Sequence, residues 1–443
     1  MLFVLVIDAL NSLLQHAVAS CVLERLTHRH AASISLFADD MVIFCHPDRA
    51  ELNNVSKLLD FFGDVSGLRK NFGKCLAVPI PCAAPAMDTI GTALACPTAS
   101  FPVQYLGLPH SLRKVPSSHL EPLIEKLLRK LATWKAALLS RGERLALVWQ
   151  VLSAMPVHIL LAMALSPPIL KKANRIIRDF LWHGRKDARA GSCLVSWARV
   201  CRPLELSGLG IRDLHRTGVS LRLRWLWLQA TDPTRPWSHL TLPSDPQVLQ
   251  FFRASTSWTV GDGTTCRFWI DPWLGGSSLS SLAPASAALV PARRRRTRTV
   301  AAALQNLTWT ADIQGSLGPA AVLEYADIWR RLQLVVLLAQ PDTIHWHWTA
   351  NGIYSASSCY SALFEGSTAS EHWWLVWKSG TTLSVKFFLY PAALNRCWSA
   401  DRLARRGLPH PATCPLCLQE PETLHHILVG GIFARVTWHE VLS

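Results

Sequence analysis

Two apolar runs with strand-like composition meet at a pair of acids near the start of the chain. Ser33 to Phe37 and Met41 to Phe44 are rich in the β-branched and aromatic residues that strands favour. Ala38-Asp39-Asp40 forms a short break between them. The pattern predicts a β-hairpin whose turn holds two neighbouring carboxylates, Asp39 and Asp40.

Helical spacing follows the hairpin. From about Asp48 to Val65, apolar residues recur three or four positions apart, at Leu52, Val55, Leu58, Leu59 and Phe62. The stretch from Ser117 to about Leu181 is also strongly helical. A small α+β region is therefore predicted first, with a mainly helical region after it.

The helix after Pro167-Pro168 separates charge from apolar surface. Lys171, Arg175 and Arg178 fall on one face, because they lie three and four positions apart. The opposite face carries Leu170, Ala173, Ile177 and Leu181. Such a helix packs its apolar side on a core, and its cations either contact phosphates or remain an ordinary solvated surface.

The sequence between about 216 and 345 is less regular. The run from Ala283 to Ala292 is rich in small residues and predicts a flexible linker. Arg293 to Arg296, with Arg298, form a solvated basic run. Phosphate contact and a nuclear-import signal are both open for this run.

The charge balance narrows the class of partner. The 443 residues carry 45 Lys and Arg against 30 Asp and Glu, a net charge of +15, which favours polyanions such as nucleic acid. The apolar N-terminus has no basic leader and is interrupted by Asp8, so no secretion signal is predicted. No uncharged run reaches the roughly 18 residues of a spanning helix, so we expect a nuclear or cytoplasmic protein without a membrane partner.

Cysteine spacing indicates a metal site near the C-terminus. Of the 12 Cys, only Cys414 and Cys417 are spaced like metal ligands, which favours a reduced compartment over a disulfide framework. With His426 a short loop later, they are the ligand types that wrap a tetrahedral Zn²⁺. Two free cysteines in a loop are the alternative.

The acidic pair has a second interpretation besides an ordinary exposed turn. Adjacent carboxylates repel one another, so a cation that neutralises them stabilises the pair. Mg²⁺ prefers hard oxygen ligands, and two-metal nucleotidyl transfer needs carboxylates held in this way. Asp39 and Asp40 are therefore candidate catalytic residues and Mg²⁺ ligands.

The order of three motifs resembles reverse transcriptases. Phe37-Ala38-Asp39-Asp40 resembles their acidic box, Ser66-Gly67-Leu68 with Asn71 and Lys74 resembles the element that follows it, and Tyr105 to Pro109 resembles the tract that opens the thumb. Within that class, the motifs most resemble the polymerases of LINE-type (non-LTR) retrotransposons of plants. The resemblance implies an RNA-directed DNA polymerase with an RNA template, a DNA primer or target, and nucleic-acid contacts at Lys74, Lys171, Arg175 and Arg178.

Two catalytic features of the family are not found in this sequence. In the family, a third palm carboxylate and a Gly-Asp-Pro turn precede the helix that is similar to Met1–Val18, and both would lie upstream of Met1. With that part of the metal site missing, no polymerase activity is expected from this chain alone. The alternative function is a non-catalytic nucleic-acid-binding module that uses the basic thumb and the zinc-binding-like region.

The C-terminal sequence resembles the zinc-binding domain that follows the polymerase in these elements. The resemblance runs from about Ile344 to Trp438 and includes Cys414, Cys417 and His426. It implies a fourth Cys ligand five residues after the His, where this chain has Gly431. His425, His439 or water are the candidate replacements.

These patterns together predict an α+β chain with a partial right-hand palm, a helical thumb and a small zinc-binding-like module. The predicted domains are a partial palm at 1–100, a thumb and connection at 101–215, an irregular linker region with the basic run at 216–343, and the zinc-binding-like domain at 344–443.

Overall fold

The structure is a computed structural model whose described residues form helices and three two-stranded sheets. It divides into two compact units, Met1–Glu121 and Pro122–Ser443. The residues that it describes are 2–24, 34–71, 73–80, 90, 94, 96–131, 138–184, 193–235, 237–238, 240, 242, 245–368 and 373–443. The boundaries of the four predicted domains stay predictions.

The N-terminal unit pairs two helices with two short hairpins. Its elements are α1 (Leu2–Ala19), β1 (Ile34–Phe37), β2 (Asp40–Ile43), α2 (Arg49–Ser66), β3 (Val103–Tyr105) and β4 (Leu108–His110). Leu10 and Leu14 of α1 and Val55 and Phe62 of α2 are buried in one cluster. The apolar spacing of α2 thus faces the core of this unit.

The predicted acidic hairpin is present. β1 and β2 are antiparallel, with Phe37 opposite Asp40. The turn therefore consists of Ala38 and Asp39, and Asp40 begins the second strand. Ala38 takes a positive φ of 53°, which is uncommon for a residue with a side chain. The predicted strand start, Ser33, lies outside the described residues.

The two caps of α2 fix its ends and explain one sequence motif. Asp48 accepts a hydrogen bond from the Glu51 N–H at 2.9 Å and fixes the helix start. Gly67 ends the helix in the left-handed conformation, at φ 74°. Asn71 then accepts from the Gly73 N–H at 3.1 Å. The motif from Ser66 to Lys74 is therefore a helix end followed by a turn, and the predicted helix from Asp48 to Val65 is confirmed.

The Tyr105 to Pro109 motif is also a turn. Tyr105 pairs with Leu108, and the two residues between them, Leu106 and Gly107, have φ values of 51° and 74°. Two consecutive positive φ angles match the right-handed twist of the flanking strands.

The C-terminal unit is mostly helical, and α3 begins at the division between the units. Its helices are α3 (Glu121–Lys130), α4 (Arg141–Leu147), α5 (Val157–Ala162), α6 (Pro167–His183), α7 (Trp197–Val200), α8 (Leu214–Thr231), α9 (Pro246–Ala254), α10 (Leu279–Leu282), α11 (Pro284–Ala288), α12 (Ala292–Thr297), α13 (Val300–Leu304), α14 (Pro319–Leu332), α15 (Ala356–Ala362), α16 (Trp373–Lys378), α17 (Leu383–Ala393), α18 (Ala400–Ala404) and α19 (Ile432–Leu442). Its strands are β5 (Thr256–Thr259) and β6 (Thr343–Trp346), which pair antiparallel.

Shorter turns complete this unit. Its described residues include 3₁₀ helices at Leu204–Leu206 and Gln305–Asp312 and π-helical turns at Val148–Leu152 and His426–Gly430, while a further 3₁₀ helix, Ser117–Leu120, ends the N-terminal unit just before the division. Along the described part of the chain, no helix is both long enough and apolar enough to cross a membrane.

An aromatic core fills the middle of the C-terminal unit. Trp269, Trp309 and Trp346 are fully buried, and Phe268 packs on Trp269 with ring centroids 5.1 Å apart. Burying a large apolar side chain contributes roughly 1.5–3 kcal/mol, so this cluster is a main source of stability. The cluster extends from Val219 to Cys359.

Two predictions for this region are wrong. The stretch 216–343 is not irregular, because it contains α9 to α14 and β5. Residues 283–292 are not a flexible linker, because Ala283, Ala287 and Val290 are buried in the aromatic core. Small residues there permit close packing of short helices.

The carboxylate of Asp342 fixes a tight loop beside this core. Its partners, at 2.8 to 3.0 Å, are the backbone N–H groups of Gly261, Gly263, Thr265 and Cys266 and the hydroxyl of Thr265. Partial burial alone would raise the pKa of Asp342, but the backbone donors outweigh it and hold the pKa below the usual range.

The two glycines of this loop are required by close approach of the backbone. A Cβ atom at Gly261 would lie 2.0 Å from the carbonyl oxygen of Gln340. Gly263 has a positive φ of 71°, and a Cβ there would lie 2.7 Å from the Ala301 nitrogen. The Gly261-Asp262-Gly263 sequence is therefore a structural motif.

Replacing Asp342 with Ala should lower the free energy of unfolding by about 3 kcal/mol, because several donors lose a charged acceptor. Chemical denaturation followed by tryptophan fluorescence measures the change. Asp262→Ala is the matched control, since Asp262 accepts from the N–H and hydroxyl of Thr264 in the same loop and, among the described residues, from no other donor. Equal losses in the two variants would contradict the assigned role.

The difference between the wild type and Asp342→Ala should also depend on pH. The folded-state pKa of Asp342 is depressed. Its contribution is therefore complete above the unfolded pKa of about 4 and is lost as the pH falls through the lower folded-state pKa.

Candidate metal centre

The predicted zinc ligands lie on a closed loop and the turn after it. The Cys414 N–H donates to the Glu420 carbonyl at 2.7 Å, and the Leu418 N–H donates to the Cys414 carbonyl at 2.8 Å. Leu418 has a positive φ of 58°, which closes the loop. His426 begins the π-helical turn His426–Gly430 and returns towards the loop.

The structure brings the three candidate ligands together. The ligand atoms of Cys414, Cys417 and His426 all lie within 4.8 Å of one another. The Cys417 Sγ is 3.3 Å from the His426 Nε2. Bond lengths of about 2.3 and 2.0 Å to a tetrahedral ion imply a separation of roughly 3.5 Å, so this spacing suits Zn²⁺.

The surroundings orient the histidine. The His426 Nδ1 is 3.0 Å from the Glu420 carboxylate, while Nε2 faces Cys417. A carboxylate at one ring nitrogen favours the tautomer whose other nitrogen can bind a metal. The His426 N–H also donates to the Thr423 hydroxyl at 3.1 Å. Sequence reasoning missed Glu420 in this role, although an acid six positions before a candidate His was a visible signal.

The local field favours the thiolate form of Cys417. The backbone N–H groups of Gln419 and Glu420, together with His426 and Cys414, lower the pKa of Cys417 to about 7. Cys414 is fully buried and His426 is 7% exposed, so these two ligands are shielded from solvent. Two sulfurs and an imidazole nitrogen form a donor set that selects zinc over hard cations.

The fourth ligand position is open at Gly431. A Cβ atom there would lie 3.0 Å from the His426 Nε2 and 2.7 Å from the His426 carbonyl oxygen. A side chain at position 431 would therefore point towards the metal-binding nitrogen. The alternative ligands His425 and His439 do not join the three-residue group. The residues present fit zinc with three protein ligands.

We call the closed loop 414–420 the metal loop, and a carboxylate just after it, that of Glu422, connects it to α18. Glu422 accepts from the Ala400 N–H at 2.9 Å, and its carbonyl accepts from the Asp401 N–H at 3.2 Å. Arg405 pairs with Asp401, and the Arg406 guanidinium lies 4.7 Å from the centre of the Trp398 ring. These contacts place basic side chains beside the metal loop.

The acidic pair, Asp39 and Asp40, belongs to the N-terminal unit. Asp39 and Asp40 are exposed at the end of the first hairpin, and Lys74 is exposed in the turn after α2. Among the residues with assigned positions, no third acid, His or Cys joins Asp39 and Asp40 within reach of one ion. Their assignment to Mg²⁺ stays a prediction.

The cations of α6 are partly neutralised. Three of the four residues of the predicted apolar face, Ala173, Ile177 and Leu181, are buried, and Leu170 is half-buried. Lys171 is exposed. Arg175 and Arg178 each place Nε 3.5 Å from a carboxylate oxygen of Asp179, which is buried. This pairing was not predicted, although Asp179 stands four residues after Arg175.

The C-terminal segment matches a known class. Residues 354–438 match the family described as zinc-binding in reverse transcriptase, and this range contains all three clustered ligands. The match supports the predicted zinc-binding domain.

One curated relative covers more of the chain. It is a protein of Arabidopsis thaliana named "Putative ribonuclease H protein At1g65750", and it is 24% identical over 349 residues. The alignment covers 71% of this chain and 55% of that protein, so the chain spans about half the length of its relative. The two similarities relate the chain to retroelement proteins.

Adding a ligand to the metal centre should raise its zinc affinity, and removing one should lower it. Gly431→Cys should raise it at least about tenfold by supplying a third thiolate as the fourth ligand, after the turn shifts by a few tenths of an ångström. Cys417→Ser should lower it by at least about a hundredfold, because a ligand is lost. Competition with a chromogenic zinc chelator measures both changes.

Gly430→Cys is the matched control for the added thiol. A Cβ at Gly430 would lie 3.3 Å from the His425 ring and away from the three ligands. The affinity of this variant should stay close to that of the wild type. If both added cysteines acted alike, position 431 would not be the open ligand site.

Proposed function

We propose that the chain is part of a plant-type LINE (non-LTR) retrotransposon reverse transcriptase, an RNA-directed DNA polymerase. The cluster of Cys414, Cys417 and His426 inside the matched segment is the observation that carries this proposal. In this proposal the acidic hairpin derives from the palm, α6 from the thumb, and the C-terminal module binds zinc and nucleic acid.

The proposed activity of these 443 residues is nucleic-acid binding without catalysis. Two-metal nucleotidyl transfer needs several carboxylates around its ions. Among the described residues, no group of three or more acids lies within reach of one ion. The same shortage speaks against assigning the ribonuclease H activity in the relative's name to this part of the chain, because that hydrolysis would also need clustered acids.

Charge supports nucleic acid as the partner. The net charge is +15, and Arg405 and Arg406 lie on the chain segment that leads into the metal loop. Zinc would hold that loop in one shape, so that basic side chains keep fixed positions relative to phosphates. An RNA template and a DNA primer or target are the proposed ligands.

Binding to a short RNA–DNA duplex should depend on salt and on zinc. We expect the logarithm of the binding constant to fall linearly with the logarithm of salt concentration, because counterions are released. Chelating zinc, or replacing both Cys414 and Cys417 with Ser, should weaken binding at least about fivefold by loosening the module. Fluorescence anisotropy measures the affinity, and Cys397→Ser is the control, since Cys397 is outside the metal cluster. A chain that binds no nucleic acid at any salt concentration would contradict the proposed function.

Primer extension on an RNA template with Mg²⁺ tests the proposed lack of catalysis. We expect no extension by the purified chain, because the described acids supply an incomplete metal site. Extension by the wild type, lost in Asp39→Ala but kept in Asp64→Ala, would show that the hairpin is catalytic and would overturn this part of the proposal.

A further inference from the structure

Four consecutive arginines form a distinct basic surface in the middle of the C-terminal unit. Arg293, Arg294, Arg295 and Arg296 lie on α12, and all are exposed or half-buried. We call these four residues the arginine surface. Successive helix positions turn by about 100°, so the guanidinium groups point in different directions and do not converge on one point. This spread of charge suits an extended polyanion better than a single small anion.

The surrounding sequence supplies little negative charge. No Asp or Glu occurs between Asp271 and Asp312. Asp271 is engaged by the Arg267 N–H at 2.7 Å, and the buried Asp312 accepts from Arg298 and from the Trp269 indole at 3.1 Å. Neither acid is left to neutralise the arginine surface.

The arginine surface has no ion pair with any residue whose position the structure describes. Other arginine pairs of the same unit differ in this respect. Arg175 and Arg178 share Asp179, and Arg330 and Arg331 share Asp327. The four arginines of α12 therefore keep their charge available for an outside partner.

The backbone that carries these arginines is held at both ends. Val290, before α12, and Val300, after it, are buried in the aromatic core. Arg298 forms a two-point ion pair with Asp312, and its carbonyl accepts from the Phe268 N–H at 2.9 Å. The Arg267 guanidinium donates to the carbonyl of Arg296 at the end of the helix. A partner thus meets charges on a fixed support.

We propose that the arginine surface binds the phosphodiester backbone of nucleic acid and is a main phosphate-contacting site of this chain. Guanidinium groups bind phosphate oxygens in pairs of hydrogen bonds, and neutralising the backbone releases its counterions. The proposal rests on the nucleic-acid binding proposed above. A receptor that reads basic runs as extended peptides fits less well, because α12 is helical and fixed at both ends.

The test compares two double variants of the full chain that each remove two positive charges. Arg293→Ala with Arg294→Ala should weaken binding to a short RNA–DNA duplex about tenfold or more at moderate salt. It should also reduce the slope of the log–log salt dependence by about two, one for each lost phosphate contact. Arg330→Ala with Arg331→Ala is the matched control, and its affinity should stay within about twofold of the wild type.

Further measurements decide between the outcomes. Arg293→Lys with Arg294→Lys should keep most of the salt slope, and unchanged thermal melting would exclude unfolding as the cause. Equal small losses in the two Ala variants, with normal binding by the wild type, would overturn this inference alone. Loss of nuclear accumulation with unchanged duplex binding would identify an import signal and would also overturn it. No binding by the wild type would contradict the proposed function itself.

Discussion

The contact between the Asp342 carboxylate and the loop 261–266 is the constraint on which the central part of the structure depends. It gives the N–H groups of a sharply bent segment an acceptor, and Asp342 directly precedes β6. Because β6 pairs with β5, the same contact fixes the small sheet against the aromatic core. Without it, several backbone donors would face a half-buried region unpaired.

The metal loop and the arginine surface belong to the same unit as this core but are held in different ways. The metal loop is held by its own backbone hydrogen bonds. Glu422, just after it, accepts a hydrogen bond from the N–H of Ala400, the first residue of α18. The arginine surface depends on the core directly, since buried residues flank α12 on both sides. The candidate metal ligands therefore lie on a loop closed by local hydrogen bonds, and the four arginines lie on a helix anchored to the core at both ends.

Local features could be predicted from the sequence, and distant pairings could not. The acidic hairpin and the Cys414–His426 group were predictable because their residues lie within 13 positions of one another and their types restrict the geometry. The order within 216–343 was not, because short helices rich in Ala and Ser lack a long apolar period and gain stability only by packing on distant tryptophans. Asp342 accepts a hydrogen bond from Gly261, 81 positions away, so no local sequence pattern could predict this contact.

The open position at Gly431 has a consequence for the rate at which a bound ion exchanges. An incoming donor can approach an ion with three protein ligands before any of those ligands leaves, so metal transfer needs no prior loss of a Cys or His bond. Such a centre would equilibrate with the free zinc around it, whereas a four-ligand site retains its ion. The shape of the C-terminal module would then follow zinc availability in time.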